Sequence, residues 1–582
     1  MAKYTVCDNV LSDTNRKLAP KLQFTGWEFR KEYQSQCIAS ILDGLETEVP
    51  PFNAQKFHLG CGAGKTSIFL LSLLLGIHNK RIKKSLISAP RLALIFQHIA
   101  EIDTMINYGK ENGVFSQDFK LKVVEISSNG AEKSKLKSKD LEIFNLEHDE
   151  LEDLEELKEL TSYKHINYVC SQNKDDVILD ALNANEVTIF IACQPSLFRF
   201  IQGPLRKVDT KIFDLVIHDE YHNLVSQNKK TTNKVDLEFL SKRTYLSTYF
   251  SATPRRGAKG DSVMCCNNNV FGKEEPIANI TTASLKEWGY LKPKLVVNFI
   301  IPRQVYNISD AEQSILEGSK INAQKFFREA AIIKRVMTDR LEDRNAPHIL
   351  VATSRVAIIK KLVHKKSNFI EGLKGITKKL FVSQLNGGTY QDIREQTFRI
   401  LNNASTKLAT LTLQHSIISE GINITNFNTA IVLRGMSNLV LNQFVNRITR
   451  THKDYDTAYL YIKLDEGTEV EYEKKLVEFL SKLWNMGLTF ADMTIEVTCE
   501  DPGSGPRIDE DPDPTGFLKM KDVKTRLENV ILEQQKEIAK QEMIEKIEAM
   551  TSLEELFVPI YKKKTKLVMT VSNYNFNNVV QF

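Results

Sequence analysis

The sequence predicts an α/β protein in which parallel sheets are covered by helices on both faces, followed by a largely helical C-terminal region. Three observations predict it. Short, continuously apolar runs recur between helical patterns, whereas strands with one wet face would alternate apolar and polar residues. A glycine-rich stretch, LGCGAGKTS (Leu59 to Ser67), leads straight into an apolar helical run. The composition, 42% hydrophobic and 26% charged with 26 Gly and 16 Pro, is that of ordinary globular protein and excludes fibre or wholesale disorder. At roughly 150 residues per domain, the chain has room for about three or four domains.

The strand-type runs are SLISAP (Ser85 to Pro90), VTIFIAC (Val187 to Cys193), FDLVIHDE (Phe213 to Glu220), TYLSTYFSAT (Thr244 to Thr253), HILVATS (His348 to Ser354) and TAIVLRG (Thr429 to Gly435). Between Lys133 and Leu160 a basic stretch turns acidic, with Leu151, Leu154, Leu157 and Leu160 at helical spacing. It reads as a solvated helix on an insertion. DPGSGPRIDEDPDPTG (Asp501 to Gly516) has linker composition and precedes a long helical pattern, Leu518 to Met550. The tail from Tyr561, with YKKKTK and then SNYNFNNVVQF, fits a nucleic-acid or partner tail and equally a terminal strand.

Several classes are excluded. The 8 cysteines form no Cys-x-x-Cys pair and no His stands at zinc-ligand spacing, so no zinc and no disulfide framework is expected. The start, MAKYTVCDNV, lacks an apolar signal core. The longest apolar run, Ile68 to Ile77, is broken by Ser72 and falls far below the ~20 residues of a membrane span. No membrane partner and a cytoplasmic location are therefore expected. Lys plus Arg number 78 against 73 Asp plus Glu, a formal charge of +5, so any nucleic-acid surface must be local.

The chemistry concentrates in two motifs. In LGCGAGKTS, glycines at 60, 62 and 64 let backbone N–H groups close around phosphates. Lys65 reaches the β/γ-phosphates and the Thr66 hydroxyl can hold Mg²⁺ at a helix N-terminus. The first glycine of G-x-x-x-x-G-K-[ST] is replaced by Leu59. In FDLVIHDEYH, adjacent carboxylates, Asp219 and Glu220, end a strand at the edge where parallel sheets bind ligands. One can hold Mg²⁺ while the other orients or deprotonates an attacking water.

With these two motifs in this order, the sequence from about Trp27 to Ile462 resembles a superfamily 2 helicase of the DExH type. LGCGAGKT is motif I in its superfamily form, with Gly62 as the first family glycine. APRLALIFQ (Ala89 to Gln97) resembles motif Ia, FIACQPSL (Phe190 to Leu197) the next strand element, DEYH (Asp219 to His222) motif II and SATP (Ser251 to Pro254) motif III. VATSRVAIIKKL (Val351 to Leu362), ISEGINIT (Ile418 to Thr425) and QFVNRITR (Gln443 to Arg450) are similar to motifs IV, V and VI. Asn423 stands where motif V usually has Asp, and Asn446 and Thr449 stand where motif VI usually has Gly. Similar departures occur in helicases of cytoplasmic DNA viruses and linear plasmids.

The resemblance implies two tandem RecA-like P-loop lobes. Lobe 1 would cover 25–279, after an extension at 1–24 and with a charged insertion at about 109–185. Lobe 2 would cover 280–465, with an accessory region at 466–582 and a linker at about 501–516. It also implies ATP and Mg²⁺ as cofactors. Lys65, Asp219, Glu220, Arg447 and Arg450 would act on the phosphates, with Thr66 and Asp219 holding the metal. Gln34 (or Gln36), Gly62, Gly64, Thr66, Ser67, Gly421, Asn423 and Gln443 would bind nucleotide. His222, Ser251 and Thr253 would couple hydrolysis to movement, and Pro90, Arg91, Gln97, Ser354 and Arg355 would touch nucleic acid. The connection Val270 to Pro293 is similar to that of restriction-enzyme motors and transcription-associated DNA helicases, which favours DNA over RNA and replication or transcription proteins as partners. An RNA helicase and a non-catalytic scaffold of the same fold remain alternatives. Without glycine at 446 and 449, Gln443 to Arg450 is expected to form a helix needing no positive φ, with both arginines on one face.

Overall fold

The computed structural model describes residues 32–46, 54–127, 141–144, 163–224, 232–252, 270–302, 313–317, 321–341, 346–364, 368–385, 391–415, 424–464, 469–500 and 525–540, scattered positions within these spans excepted. The linker at 501–516 and the basic tail lie outside them, as does the charged stretch 133–160 apart from 141–144.

In chain order the strands are β1 (Ala54–Leu59), β2 (Lys84–Ala89), β3 (Leu121–Ile126), β4 (Leu141–Phe144), β5 (Ile166–Cys170), β6 (Thr188–Cys193), β7 (Phe213–Asp219), β8 (Thr244–Ser251) and β9 (Ala278–Ile280). There follow β10 (Lys294–Pro302), β11 (His348–Ala352), β12 (Leu380–Leu385), β13 (Ala409–Gln414), β14 (Thr429–Val432), β15 (Thr457–Lys463) and β16 (Met493–Glu500). They form two sheets, β5-β3-β6-β2-β7-β8-β1-β9 and β16-β10-β15-β14-β11-β13-β12-β4. Every pairing is parallel except that of β4, which runs antiparallel along the β12 edge with Phe381 opposite Ile143. These are the two RecA-like lobes of the expected α/β class.

Apolar runs become central strands because both faces of each sheet are covered. In β6, Ile189 and Ile191 enter one core while Phe190 and Ala192 enter the core on the opposite face. In β11, Ile349 and Val351 divide from Leu350 and Ala352 in the same way. The helix Lys65–His78 is apolar around most of its circumference and is buried from Ser67 to Ile77, as such a helix must be.

Two expected limits look different in three dimensions. The span 109–185 supplies β3 and β5 to the first sheet, so it is interrupted by core strands. The second sheet continues past 465: β16 pairs with β10 over its whole length, and the helix Glu469–Trp484 places Leu476, Leu480 and Leu483 in the same core. Beyond the linker, the described residues 525–533 are helical, and Leu527 joins that core.

Strand order positions the site. β7, β8 and β1 are consecutive and parallel, with Asp219 opposite Phe250 and His58 opposite Ser251. The ends of motif II, motif III and the strand feeding the glycine loop therefore stand side by side on one edge.

Candidate active site

Beyond β1 the chain turns through Gly62 and Gly64, at φ +89° and +81°, into the helix starting at Lys65. Both are left-handed conformations that suit glycine. At Gly64 a Cβ would also meet Gln34 Nε2 at 2.4 Å. Gln34 is buried and donates from Nε2 to the Ala63 carbonyl at 2.9 Å, beside the Tyr33 hydroxyl on the same oxygen at 2.7 Å. The expected adenine reader thus braces the phosphate loop. Gln36 has a buried Oε1 without a hydrogen-bond partner.

Lys65 Nζ lies 3.1 Å from Glu220 Oε1. Burial works against the lysine's charge, but Glu220, with Cys61 and Asp219, holds its pKa above the ordinary value. Burial also pushes against ionised Asp219; His98, Lys65 and the Glu220 N–H, donated to Asp219 Oδ1 at 3.0 Å, outweigh it and keep the carboxyl below its usual range. Glu220 has φ +46°, a left-handed conformation that is strained for a non-glycine residue and recurs at functional sites. Its Oε2 lies 3.3 Å from His222 Nδ1, which also meets Ser251 Oγ at 2.8 Å. Motif II and motif III are thereby joined by a buried imidazole. Thr66 and Ser67 form the first helical turn.

The second sheet contributes the helix Asn438–Ile448. Arg447 is 4% exposed, and its Nε and Nη1 have no hydrogen-bond partner. Burial first, then Arg450, lowers its pKa to about 9, while Cys61 and Glu220 pull the other way. The guanidinium is therefore in electrostatic reach of both the glycine loop and motif II. Gln443 is buried with Oε1 unpartnered. No described residue from 443 to 450 has positive φ: Thr449 Oγ1 donates back to the Val445 carbonyl at 3.3 Å and Asn446 Nδ2 to Asn442 Oδ1. The helix ends at Ile448, however, so Arg450 does not share its face with Arg447. It forms an antiparallel bridge with Leu291, and it acts on Glu101, whose carboxyl is raised by burial.

The expected nucleic-acid residues are divided. Arg91 and Arg355 precede helices, while Pro90 is partly buried beside Arg91. Gln97 Nε2 donates to Glu101 Oε1 at 2.8 Å and Ser354 Oγ to Glu329 Oε1 at 2.8 Å, so both are engaged within the protein. Thr253, Gly421 and Asn423 lie outside the described residues.

Three residues went unread. His98 is fully buried, with Nε2 3.4 Å from Asp219 Oδ2. Its signal was a polar residue among Leu94, Ile95, Ile99 and Ile102 on an apolar helix stripe. Glu101 lies one turn on. Arg394 sits near enough to Arg91 for burial, then Arg91, to lower its pKa.

Residues 29–256 match the family model described as "Type III restriction enzyme, res subunit". No curated protein sequence matches the chain. Among solved structures, the ATP-dependent Type ISP restriction-modification enzyme LlaBIII bound to DNA superposes with TM-score 0.50 at 14% identity, over 81% of this chain and 31% of that one. The present chain thus spans about a third of that enzyme. Mss116p bound to ssRNA and AMP-PNP superposes with TM-score 0.51 at 14% identity, over 93% of this chain and 85% of its own. The chain has the two-lobed RecA-like fold of these structures. Within that fold, strand ends of one lobe and an arginine helix of the other meet at the glycine loop. Among the described residues, no helix is long and apolar enough to cross a membrane, and no group of three or more His, Cys, Asp or Glu side chains is placed to hold a metal.

Proposed function

We propose that the protein is a nucleic-acid-dependent ATP hydrolase of the DExH kind that converts turnover into movement on DNA. One observation carries the reading: a buried arginine of the second lobe, Arg447, whose Nε and Nη1 have no hydrogen-bond partner, stands in electrostatic reach of Glu220 and the glycine loop of the first. Burying two guanidinium nitrogens without hydrogen-bond partners is costly, and an anion arriving between the lobes offsets that cost.

In this reading Lys65 leaves Glu220 for the β/γ-phosphates, freeing the carboxylate to orient and deprotonate the attacking water. Arg447, with Arg450 beside it, neutralises charge as the phosphoryl group transfers. ATP therefore draws the lobes together, and its hydrolysis lets them part. The His222–Ser251 contact passes that change to motif III. The donor set suits Mg²⁺, which takes one or two carboxylates plus substrate phosphates rather than a full protein cage. Ionised Asp219 and Thr66 would hold it, and it would supply charge neutralisation of the phosphates.

The restriction-enzyme family match and the Val270 to Pro293 connection support DNA, in replication or transcription. The likeness to Mss116p keeps an RNA helicase as the second reading. Kinship with viral or plasmid helicases rests on Asn423, Asn446 and Thr449 alone, and cytoplasmic placement on the sequence features. The test is steady-state ATP hydrolysis without polymer and with single-stranded DNA, duplex DNA or RNA. DNA stimulation is expected; stimulation by RNA alone would replace the substrate, and no turnover with any polymer would favour a non-catalytic scaffold.

A further inference from the structure

The residues linking the lobes touch both halves of the site. Trp288 stacks on Tyr33, with ring centroids 5.7 Å apart, and the Tyr33 hydroxyl is the group that holds the Ala63 carbonyl of the phosphate loop. Leu291 lies against the same loop, its Cδ2 3.6 Å from where a Cβ on Gly62 would stand. Toward the other lobe, Leu291 bridges Arg450, and the Lys292 N–H donates to the Thr449 carbonyl at 2.7 Å.

The Lys292 side chain completes the junction. It is 3% exposed, and Nζ donates to the Ile448 carbonyl at 2.7 Å and the Phe427 carbonyl at 3.1 Å. Ile448 ends the arginine helix, where carbonyls lack intrahelical partners and accept from donors outside the helix. The Tyr455 ring lies 5.9 Å from the same nitrogen. An apolar side chain of this length would fill the space without the cost of burying an amine. What the amine adds is directional: two hydrogen bonds that fix the backbone on which Arg447 and Arg450 are mounted.

We propose that Trp288 to Lys292 is a clamp joining the phosphate loop to the arginine segment, with Lys292 the positioning residue that sets where Arg447 and Arg450 stand. The inference rests on the ATPase reading and deepens it. It places neither catalysis nor polymer binding on Lys292.

The test compares Lys292→Met, of similar length without donors, with Lys292→Gln, which keeps two N–H donors without charge. Lys292→Met should lower kcat for ATP at least about tenfold with KM within about twofold, and Lys292→Gln should retain more of it. If Lys292 acts through Arg450, adding Lys292→Met to Arg450→Ala should cost less than about twofold more. Near-wild-type kcat in both single variants, or equal losses in the two backgrounds, would overturn the clamp. Near-ultraviolet circular dichroism checks folding; if Lys292→Met does not fold, Lys292→Gln alone and with Arg450→Ala decides. Should the wild-type chain show no ATP turnover, the ATPase reading fails separately, and amide exchange decides the clamp. At least about tenfold faster exchange at 447–451 in the substituted chain supports it, and unchanged exchange there refutes it.

Discussion

At the scale of single residues, Glu220 carries two opposed demands. A left-handed backbone costs a non-glycine residue roughly 1–2 kcal/mol, yet this position must bear a carboxylate against Lys65. Glu220→Gly should therefore relieve that strain but leave buried Lys65 without its counter-charge, so a net loss of stability in thermal unfolding is expected together with loss of turnover. Glu220→Gln should keep nucleotide affinity and lose turnover by about 10² or more, whereas Lys65→Ala should lose nucleotide affinity itself. Full ATPase activity in both Glu220→Gln and Lys65→Ala would remove these residues from the chemistry.

Lys292 gives a prediction of another kind. Burial lowers its pKa to about 7 against the ordinary 10.5, with Asp456 opposing. Nearby His348, itself lowered by burial first and then by His452 and Lys292, stays neutral over this range. Between about pH 7 and 10.5 the unfolded chain holds the Lys292 proton and the folded chain releases it, so this group makes stability rise with pH. The cost is fully present below pH 7 and gone above 10.5. Melting temperatures of the wild type and Lys292→Met, taken at pH 7 and 9.5, should differ in that sense: the variant's relative standing should be better at pH 7. A gap independent of pH would show that the buried amine titrates normally.

At the scale of elements, six strands were legible as apolar runs, whereas β10, equally apolar, and several strands carrying polar residues were not. β1, AQKFHL, went unread because Lys56 and His58 look like surface residues. Lys56 is nonetheless 2% exposed, and His58 Nε2 meets the Tyr221 hydroxyl at 2.8 Å. β12 and β13 were missed for the same reason: Ser383 Oγ donates to Thr412 Oγ1 at 3.0 Å inside the sheet. Spacing on a helix placed Arg447 but not Arg450, since position in sequence does not reveal that the helix stops at Ile448 and that Arg450 bridges Leu291 of the linker. Glycines in the phosphate loop were readable because their backbone requirement is local. Gly64→Ala should accordingly lose both the φ +81° conformation and its fit against Gln34, lowering ATP affinity at least tenfold with a loss of about 1–3 kcal/mol in stability. Unchanged affinity by fluorescent-nucleotide titration would mean that the loop adopts another backbone when occupied.

At the scale of the molecule, the sheets are joined by the linker and by β4, whose chain leaves the first lobe's sheet at β3, pairs with β12 of the second, and returns at β5. The groups proposed to face the phosphates are split across that junction: Lys65, Asp219 and Glu220 belong to the first lobe, Arg447 and Arg450 to the second. On the proposed reading, such a division makes nucleotide state and lobe spacing the same variable, which a site confined to one lobe could not do. It follows that removing an arginine should uncouple turnover without dismantling either polymer-binding lobe. Arg447, buried with two nitrogens unsatisfied and in electrostatic reach of Glu220, should be the more sensitive of the two. Arg447→Ala is expected to lower polymer-stimulated kcat by roughly 10³ or more, and Arg450→Ala to follow it. Affinity for single-stranded DNA without nucleotide should stay within about threefold of wild type, because backbone contacts to the polymer lie elsewhere. Paired measurements of ATP turnover and fluorescence-anisotropy DNA binding on each variant separate the outcomes. A loss of DNA binding as large as the loss of turnover would move that arginine from the phosphate site to the polymer groove.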